Sequence, residues 1–137
     1  MKGLSRFGIS TEKDLLVKFD RLIQKRGYTN RSKAFSDLVR QELVKKEWSE
    51  GKEVAGAIIM IYDHHKRELV NRLTDLQHDF NTIILSTQHI HLDHNNCLEI
   101  IAIRGAVSEA QKLADALRAV KGVKHTTLGM SSTGKNL

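Results

Sequence analysis

The chain has 137 residues, 40% of them hydrophobic and 28% charged, with a formal net charge of +6. That length fits one domain or two small ones, and the composition argues against wholesale disorder. No apolar run reaches the roughly 20 residues that span a bilayer, "MKGLSRFGIS" lacks the apolar core of a signal peptide, and a single cysteine cannot form an internal disulfide, so a reducing, cytoplasmic setting is expected.

The basicity is concentrated at the front. Residues 1–50 carry 12 Lys and Arg against 7 Asp and Glu, whereas residues 51–137 carry 10 against 9. A basic segment joined to a near-neutral one suggests a polyanionic partner for the first part.

In chain order, "SRFGIS" (5–10) alternates, with Phe7 and Ile9 apolar and Arg6, Gly8 and Ser10 around them, so it reads as one short strand with a polar face. Thr11 with Asp14 is a variant capping box, and Leu15, Leu16, Phe19, Leu22 and Ile23 then recur on one face of a helix starting near Glu12. Gly27, after Lys25 and Arg26, reads as its C-terminal stop. Thr29 or Asn30 can cap a second helix, with Ala34, Phe35, Leu38, Val39 and Leu43 on its apolar face, running to about Trp48. A lone strand has no partner for its backbone, and two helices with one strand bury too little to be stable alone. Pairing the strand with its copy in a dimer solves both problems. Arg6, Gly8 and Ser10 of both chains then face outward on a two-stranded ribbon that fits the DNA major groove.

"SEGKEVAG" (49–56) is rich in glycine and charge and reads as a linker, giving domains 1–50 and 51–137. Beyond it come a strand (54–63), a helix (66–80) with Leu69, Val70, Leu73, Leu76 and Phe80 in register, and strands at 82–92 and 96–105 joined by a short polar loop. A helix (107–122) with Val107, Ala110, Leu113, Ala114 and Leu117 inward and a last strand (123–130) complete the order β-α-β-β-α-β. That order is the ferredoxin-like arrangement, so the whole chain is α+β.

The stretch "HIHLDHNNC" (89–97) holds three of the seven histidines and the only cysteine. On a strand, His89 and His91 face the same side, roughly 6.5–7 Å apart, and Cys97 opens the next strand beside them. Two imidazoles and a thiol at one hairpin end make a metal-site arrangement. Candidates for a fourth ligand are His64, His65, His78, His94 and His125. A helix antiparallel to the strand would leave His78 roughly 26 Å from His89, beyond the reach of one chain. Two chains related by a two-fold axis can bring His78 to His89, so the expected site is shared across a subunit interface, with two equivalent copies per pair. Spacing leaves zinc, nickel and copper open. Glu99, on the same strand face as Cys97, is a candidate to orient a ligand histidine.

The segments "RFGIS", "RGYTNRS", "VAGAIIMIYDHHKREL", "LQHDF", "HIHLDHNNCLE" and "GVKH" resemble the nickel-responsive NikR regulators, and the resemblance covers nearly the whole chain. It implies a ribbon-helix-helix unit that binds operator DNA as a dimer and an ACT-like domain that forms a homotetramer, a dimer of dimers. It implies Ni(II), about one per chain, held in a planar N,S set by His89, His91 and Cys97 of one subunit and His78 of its neighbour. It implies no catalytic set: the expected role is repression, with nickel-uptake genes as the expected target. Base readout falls on Arg6 and Ser10, with Gly8 between them, and Arg6 can reach guanine O6 and N7. Asn30 and Arg31 resemble a phosphate-anchoring position at a helix start. Lys66 and Arg67 resemble residues that reach DNA phosphates once nickel is bound. Relatives often pair a Glu at the place of Lys33 with Asp37 to hold a cation between the two domains. Lys33 instead brings its own ammonium one helical turn from Asp37. Two other classes fit the sequence less well. A metal hydrolase needs an open coordination position, which four protein ligands close. A metal store or an ACT-type amino-acid sensor without DNA specificity leaves the alternating front strand and its charge unexplained.

Overall fold

The computed structural model describes residues 3–137. Their contacts fall into two compact units, Met1–Arg40 and Gln41–Leu137.

The first unit is built on α1 (Lys13–Lys25) and the start of α2 (Arg31–Ser49). Glu12, not Thr11, is the N-cap of α1, and no side chain caps its first turn, so the expected Thr11–Asp14 box is not made. The C-terminal stop is as expected. Gly27 sits at φ +85°, its N–H donates to the Gln24 carbonyl at 3.0 Å, and the Tyr28 N–H donates to the Ile23 carbonyl at 2.9 Å. This paired closure needs a residue in the left-handed region, which glycine enters without a Cβ clash. Asn30 caps α2, its Oδ1 accepting the Lys33 backbone N–H at 2.9 Å.

This unit is incomplete in the single chain in two respects, both in keeping with the expectation that the strand forms, and the helices are covered, only by pairing with a second copy. Residues 3–12 form no strand. A strand exists only through hydrogen bonds to a partner, and the unit contains no second extended segment. The apolar faces of the helices are also largely open. Among the described residues up to Arg40, only Ile23 and Ala34 are buried, while Leu15, Leu22, Phe35, Leu38 and Val39 are exposed. Two helices cannot cover each other's apolar stripes on both sides. Phe7 packs edge-on to Phe35 with ring centroids 5.4 Å apart, yet remains 66% exposed.

The second unit follows the expected order: β1 (Glu53–Tyr62), α3 (Arg67–Asp79), β2 (Ile84–His91), β3 (Cys97–Ala106), α4 (Val107–Ala119) and β4 (Val123–Met130). The four strands form one antiparallel sheet in the order β2-β3-β1-β4. Alternation puts Val54, Ile58, Met60 and Tyr62 of β1 on the same buried face as Cys97, Glu99, Ile101 and Ile103 of β3. Leu69, Leu73 and Leu76 of α3 and all five expected inward residues of α4 close this core. Trp48, near the end of α2, joins the same core, 5% exposed, with its indole N–H donating to the Ser131 carbonyl at 2.7 Å. No described helix is long and apolar enough to cross a membrane.

The expected linker is shorter than read. Because β1 begins at Glu53, Val54, Ala55 and Gly56 are strand, and only residues 50–52 connect it to α2. Gly56 is there for close approach: a Cβ at that position would overlap the Gly129 carbonyl oxygen of β4 and meet the Trp48 ring. Gly56→Ala should therefore destabilise the second unit by about 2 kcal/mol or more, read as a lower midpoint in denaturant with an unchanged slope. An unchanged midpoint would mean that β4 moves aside freely.

Candidate metal centre

The β2–β3 hairpin sets three of the four expected ligands, His89, His91 and Cys97, at one end of two paired strands. Its register sets His91 opposite Cys97 and His89 opposite Glu99. All four side chains therefore project to the face that carries α3 and α4. The Asp93–Asn96 loop that joins the strands is held by its own side chains. Asp93 Oδ1 accepts the backbone N–H of Asn95 and of Asn96, each at 2.8 Å, and Asn96 in turn accepts from Lys124. Cys97 is a free thiol, 1% exposed.

Glu99 organises this end of the domain. It is 1% exposed and accepts two hydrogen bonds, from the Tyr62 hydroxyl at 3.1 Å on Oε1 and from the Gln77 amide at 2.6 Å on Oε2, while His89 Nε2 lies 2.8 Å from Oε1. A buried carboxylate is tolerated when its lone pairs are filled in this way. Burial, followed by the adjacent Glu99 charge, pushes the Tyr62 hydroxyl far up, so it stays a donor. His89 Nε2 thus lies beside the Glu99 carboxylate, the place from which a carboxylate can orient an imidazole.

His78 lies in the last turn of α3 and is exposed. The distance argument against it needs correcting. Its neighbour Gln77 touches Glu99, so the end of α3 lies over β3 near the ligand end of the sheet, not at the far end of β2. What separates His78 from His89 is direction: Gln77 turns toward the sheet and His78 turns to solvent. The thiol and imidazoles of the expected set do not close into a tight cluster in the single chain. Among the described residues, the three metal-ligating side chains whose donor atoms lie within 4.8 Å of one another are Asp63, His64 and His65. The His64 ring lies 4.1 Å from that of His65 and 4.4 Å from that of His91, and the His65 ring lies 4.9 Å from that of His94. Burial and then the neighbouring imidazoles hold His64 below the ordinary histidine range. His125 contacts Thr127 on β4, away from this group.

The residues expected at DNA are distributed as follows. Arg6, Gly8 and Ser10 are exposed in the irregular segment before α1. Asn30 spends its oxygen on the α2 cap and keeps its amide N–H groups free for an anion. Arg31 is not free: its guanidinium forks onto both oxygens of Asp20 at 2.9 and 2.8 Å, which holds Asp20 below the usual carboxylate range. Lys66 is the N-cap of α3 and Arg67 its first residue, and both line a concavity with Arg72 and Lys121. Lys33 Nζ lies 2.7 Å from Asp37 Oδ1, while Tyr28 donates to Oδ2 at 2.7 Å. These contacts, the Lys33 one first, hold Asp37 below its ordinary range.

Sequence reasoning missed Tyr62 and Gln77. The available signal was Gln77 itself, a polar residue four positions after Leu73 on the inward row of α3.

A family profile described as the NikR C terminal nickel binding domain matches residues 55–131. The chain belongs to the NikR family of nickel-responsive regulators. Relatives bearing the name nickel-responsive regulator include one from Syntrophus aciditrophicus, 57% identical with 98% of each chain covered. One from Chlorobium limicola is 58% identical, covering 98% of this chain and all of that one. One from Pyrococcus furiosus is 46% identical, covering 98% and 99%. An uncharacterized protein from Thermotoga maritima shares the fold of part of the chain, with a TM-score of 0.51 at 14% identity over 56% of this chain and 98% of that one. The protein is thus a nickel-responsive transcriptional regulator that binds nickel and DNA.

Glu99→Gln keeps the shape of the buried group but sets an amide donor against donors. Nickel affinity should fall about 10- to 100-fold, measured by competition with a chelator, with the far-UV circular dichroism unchanged. Wild-type affinity in this variant would remove Glu99 from the role of orienting His89.

Proposed function

We propose that this chain is a nickel-activated repressor, working as a homotetramer on operator DNA, with nickel-uptake genes as its target. His89, His91 and Cys97 of one subunit and His78 of a neighbour would hold Ni(II), about one per chain, in a planar N,S set. The observation that carries the reading is the hairpin register: His91 faces Cys97, and two residues earlier His89 is held by the buried Glu99. The donor set fits the ion, since a thiolate with imidazoles suits Ni(II) and leaves no open position for hydrolytic chemistry.

Assembly is supported by two uncovered apolar surfaces. Leu15, Leu22, Phe35, Leu38 and Val39 of the first unit are exposed, as an unpaired half of a dimer would be. On the sheet face away from the helices, the cross-strand pairs Ile59–Ile100 and Ile61–Leu98 form an apolar stripe that is only partly buried. The exposed position of His78 suits donation to another chain. Bound nickel supplies a centre that four donors from two chains can share. Drawing His78 into such a site fixes α3, the helix that begins with Lys66 and Arg67, and favours the arrangement in which those cations meet phosphate. Arg6 and Ser10 read bases, Asn30 offers its amide to the backbone, and Arg31 reaches phosphate by leaving Asp20.

The decisive experiment is an anaerobic nickel titration followed by absorption. A thiolate-to-nickel charge-transfer band saturating at about one metal per chain is expected. Cys97→Ala should abolish it together with nickel-dependent binding to a duplex selected from a random pool. A band that persists without Cys97 would sink the reading.

We further propose that the Lys33 ammonium, paired with Asp37, stands in for the cation that a Glu at its place would require. Operator binding by the nickel-loaded wild type should then depend weakly on potassium, and Lys33→Glu should make it steep. Equal potassium dependence in the two proteins would refute the substitution.

A further inference from the structure

Arg31 comes to its proposed DNA contact already occupied. It is the first residue of α2, and its guanidinium forks onto Asp20 of α1, Nε donating to Oδ1 at 2.9 Å and Nη2 to Oδ2 at 2.8 Å. Two parallel N–H groups are also how a guanidinium grips a phosphate, so a carboxylate and a phosphate compete for the same atoms. Solvent and any large anion can reach the pair, since the two side chains are 60% and 41% exposed. The first turn of α2 has no acidic residue of its own. Asp20 therefore supplies the counter-charge both for Arg31 and for the positive end of the helix. Asn30 spends its Oδ1 on the Lys33 N–H, which leaves the N–H groups of Arg31 and Ser32 without an acceptor inside the helix. A phosphate arriving there meets two backbone donors and one guanidinium that is turned to another anion.

We propose that Asp20 stands in for a DNA phosphate and sets the affinity of the chain for DNA, holding Arg31 back on α1 until a backbone phosphate displaces it. This role rests on the reading of the chain as a DNA-binding repressor, and it adds a residue that opposes binding to those that favour it. An exposed ion pair is worth little, so the exchange is within reach of a phosphate. The exchange still has a cost beyond the lost pair, because the freed Asp20 carboxylate is left close to the phosphate and repels it. Sequence-independent attraction to DNA grows with each Lys or Arg that neutralises a phosphate. The fork withholds one such cation per chain, and a dimer carries the effect twice.

The test titrates nickel-loaded full-length protein onto a duplex selected from a random pool, over a range of salt concentrations. Asp20→Asn keeps the shape of the side chain and removes its charge, and Asp20→Ser removes the acceptor fork. Each should bind the duplex at least about threefold more tightly than wild type, with the thiolate-to-nickel band unchanged. Arg31→Ala alone should weaken binding and reduce the salt slope by about one per chain engaged. Combined with Arg31→Ala, Asp20→Asn should give no gain, because no guanidinium is left to release. A pair that merely braces the start of α2 predicts the opposite sign: Asp20→Asn and Asp20→Ser would both weaken binding. Unchanged or weaker binding in both variants overturns the proposal. So does a gain that survives Arg31→Ala, which would come from lost negative charge alone. Wild-type binding that ignores nickel, with the Arg31-dependent gain retained, sinks the nickel-activated reading and leaves the role of Asp20 standing. Failure of wild type to bind any duplex in either metal state overturns both.

Discussion

The second unit depends on one buried carboxylate. Glu99 is held among Tyr62, Gln77 and His89, which come from β1, α3 and β2, so one side chain ties three elements at the ligand end of the sheet. An unpaired carboxylate in that position would cost several kcal/mol or take up a proton. Paired as it is, it lies against His89, anchors the last turn of α3 through Gln77, and makes any loss of one partner felt by the others. The apolar core beneath it is conventional in composition and would tolerate volume-conserving exchange. The Glu99 group would not, because every member is both donor or acceptor and spacer.

The first unit obeys the opposite logic. Its helices are well terminated, by the Gly27 closure and the Asn30 cap, and they carry a clear apolar stripe. What it lacks is something to bury that stripe against. The exposed Phe35, Leu38 and Val39, together with a front segment that has strand alternation and no strand partner, are the signature of half a structure. Under the proposed reading, a local code is complete here while the fold it specifies is completed by another copy.

That contrast explains what could be read from the residues and what could not. The β-α-β-β-α-β order was legible because period 2 and period 3.6 alternate cleanly along residues 53–130, and the five inward residues of α4 are those its spacing picks out. The hairpin pairing of His91 with Cys97 followed from a short loop between two strands. The angle at which α3 crosses the sheet was not legible, because no local pattern encodes it. A parallel-rod picture therefore put His78 too far from the site, whereas Gln77 in fact reaches Glu99. The role of Gly56 was hidden for a similar reason: the need for a missing Cβ arises from Gly129, more than seventy positions away in sequence and adjacent only through β1–β4 pairing. The Arg31–Asp20 fork likewise joins two helices whose relative placement spacing does not give.

A single helix then links the two chemistries of the second unit. α3 spans Arg67–Asp79, about 20 Å at the usual rise per residue. Its last turn carries Gln77 and His78 at the ligand end, and its first turn carries Lys66 and Arg67 beside Arg72 and Lys121. A helix of this length is stiff compared with the loops at its ends, so constraining one end constrains the other. In the single chain Gln77, three buried leucines and the partly buried Val70 hold α3 down, while its His78 is exposed. Under the proposed reading, a ligand that recruits His78 adds a second anchor at the same turn. Its effect on DNA affinity is bounded by the difference in free energy between anchored and unanchored α3. A metal that binds without engaging His78 supplies none of that difference. Specific response to nickel then rests on geometry at the shared site and not on how tightly the chain holds metal overall.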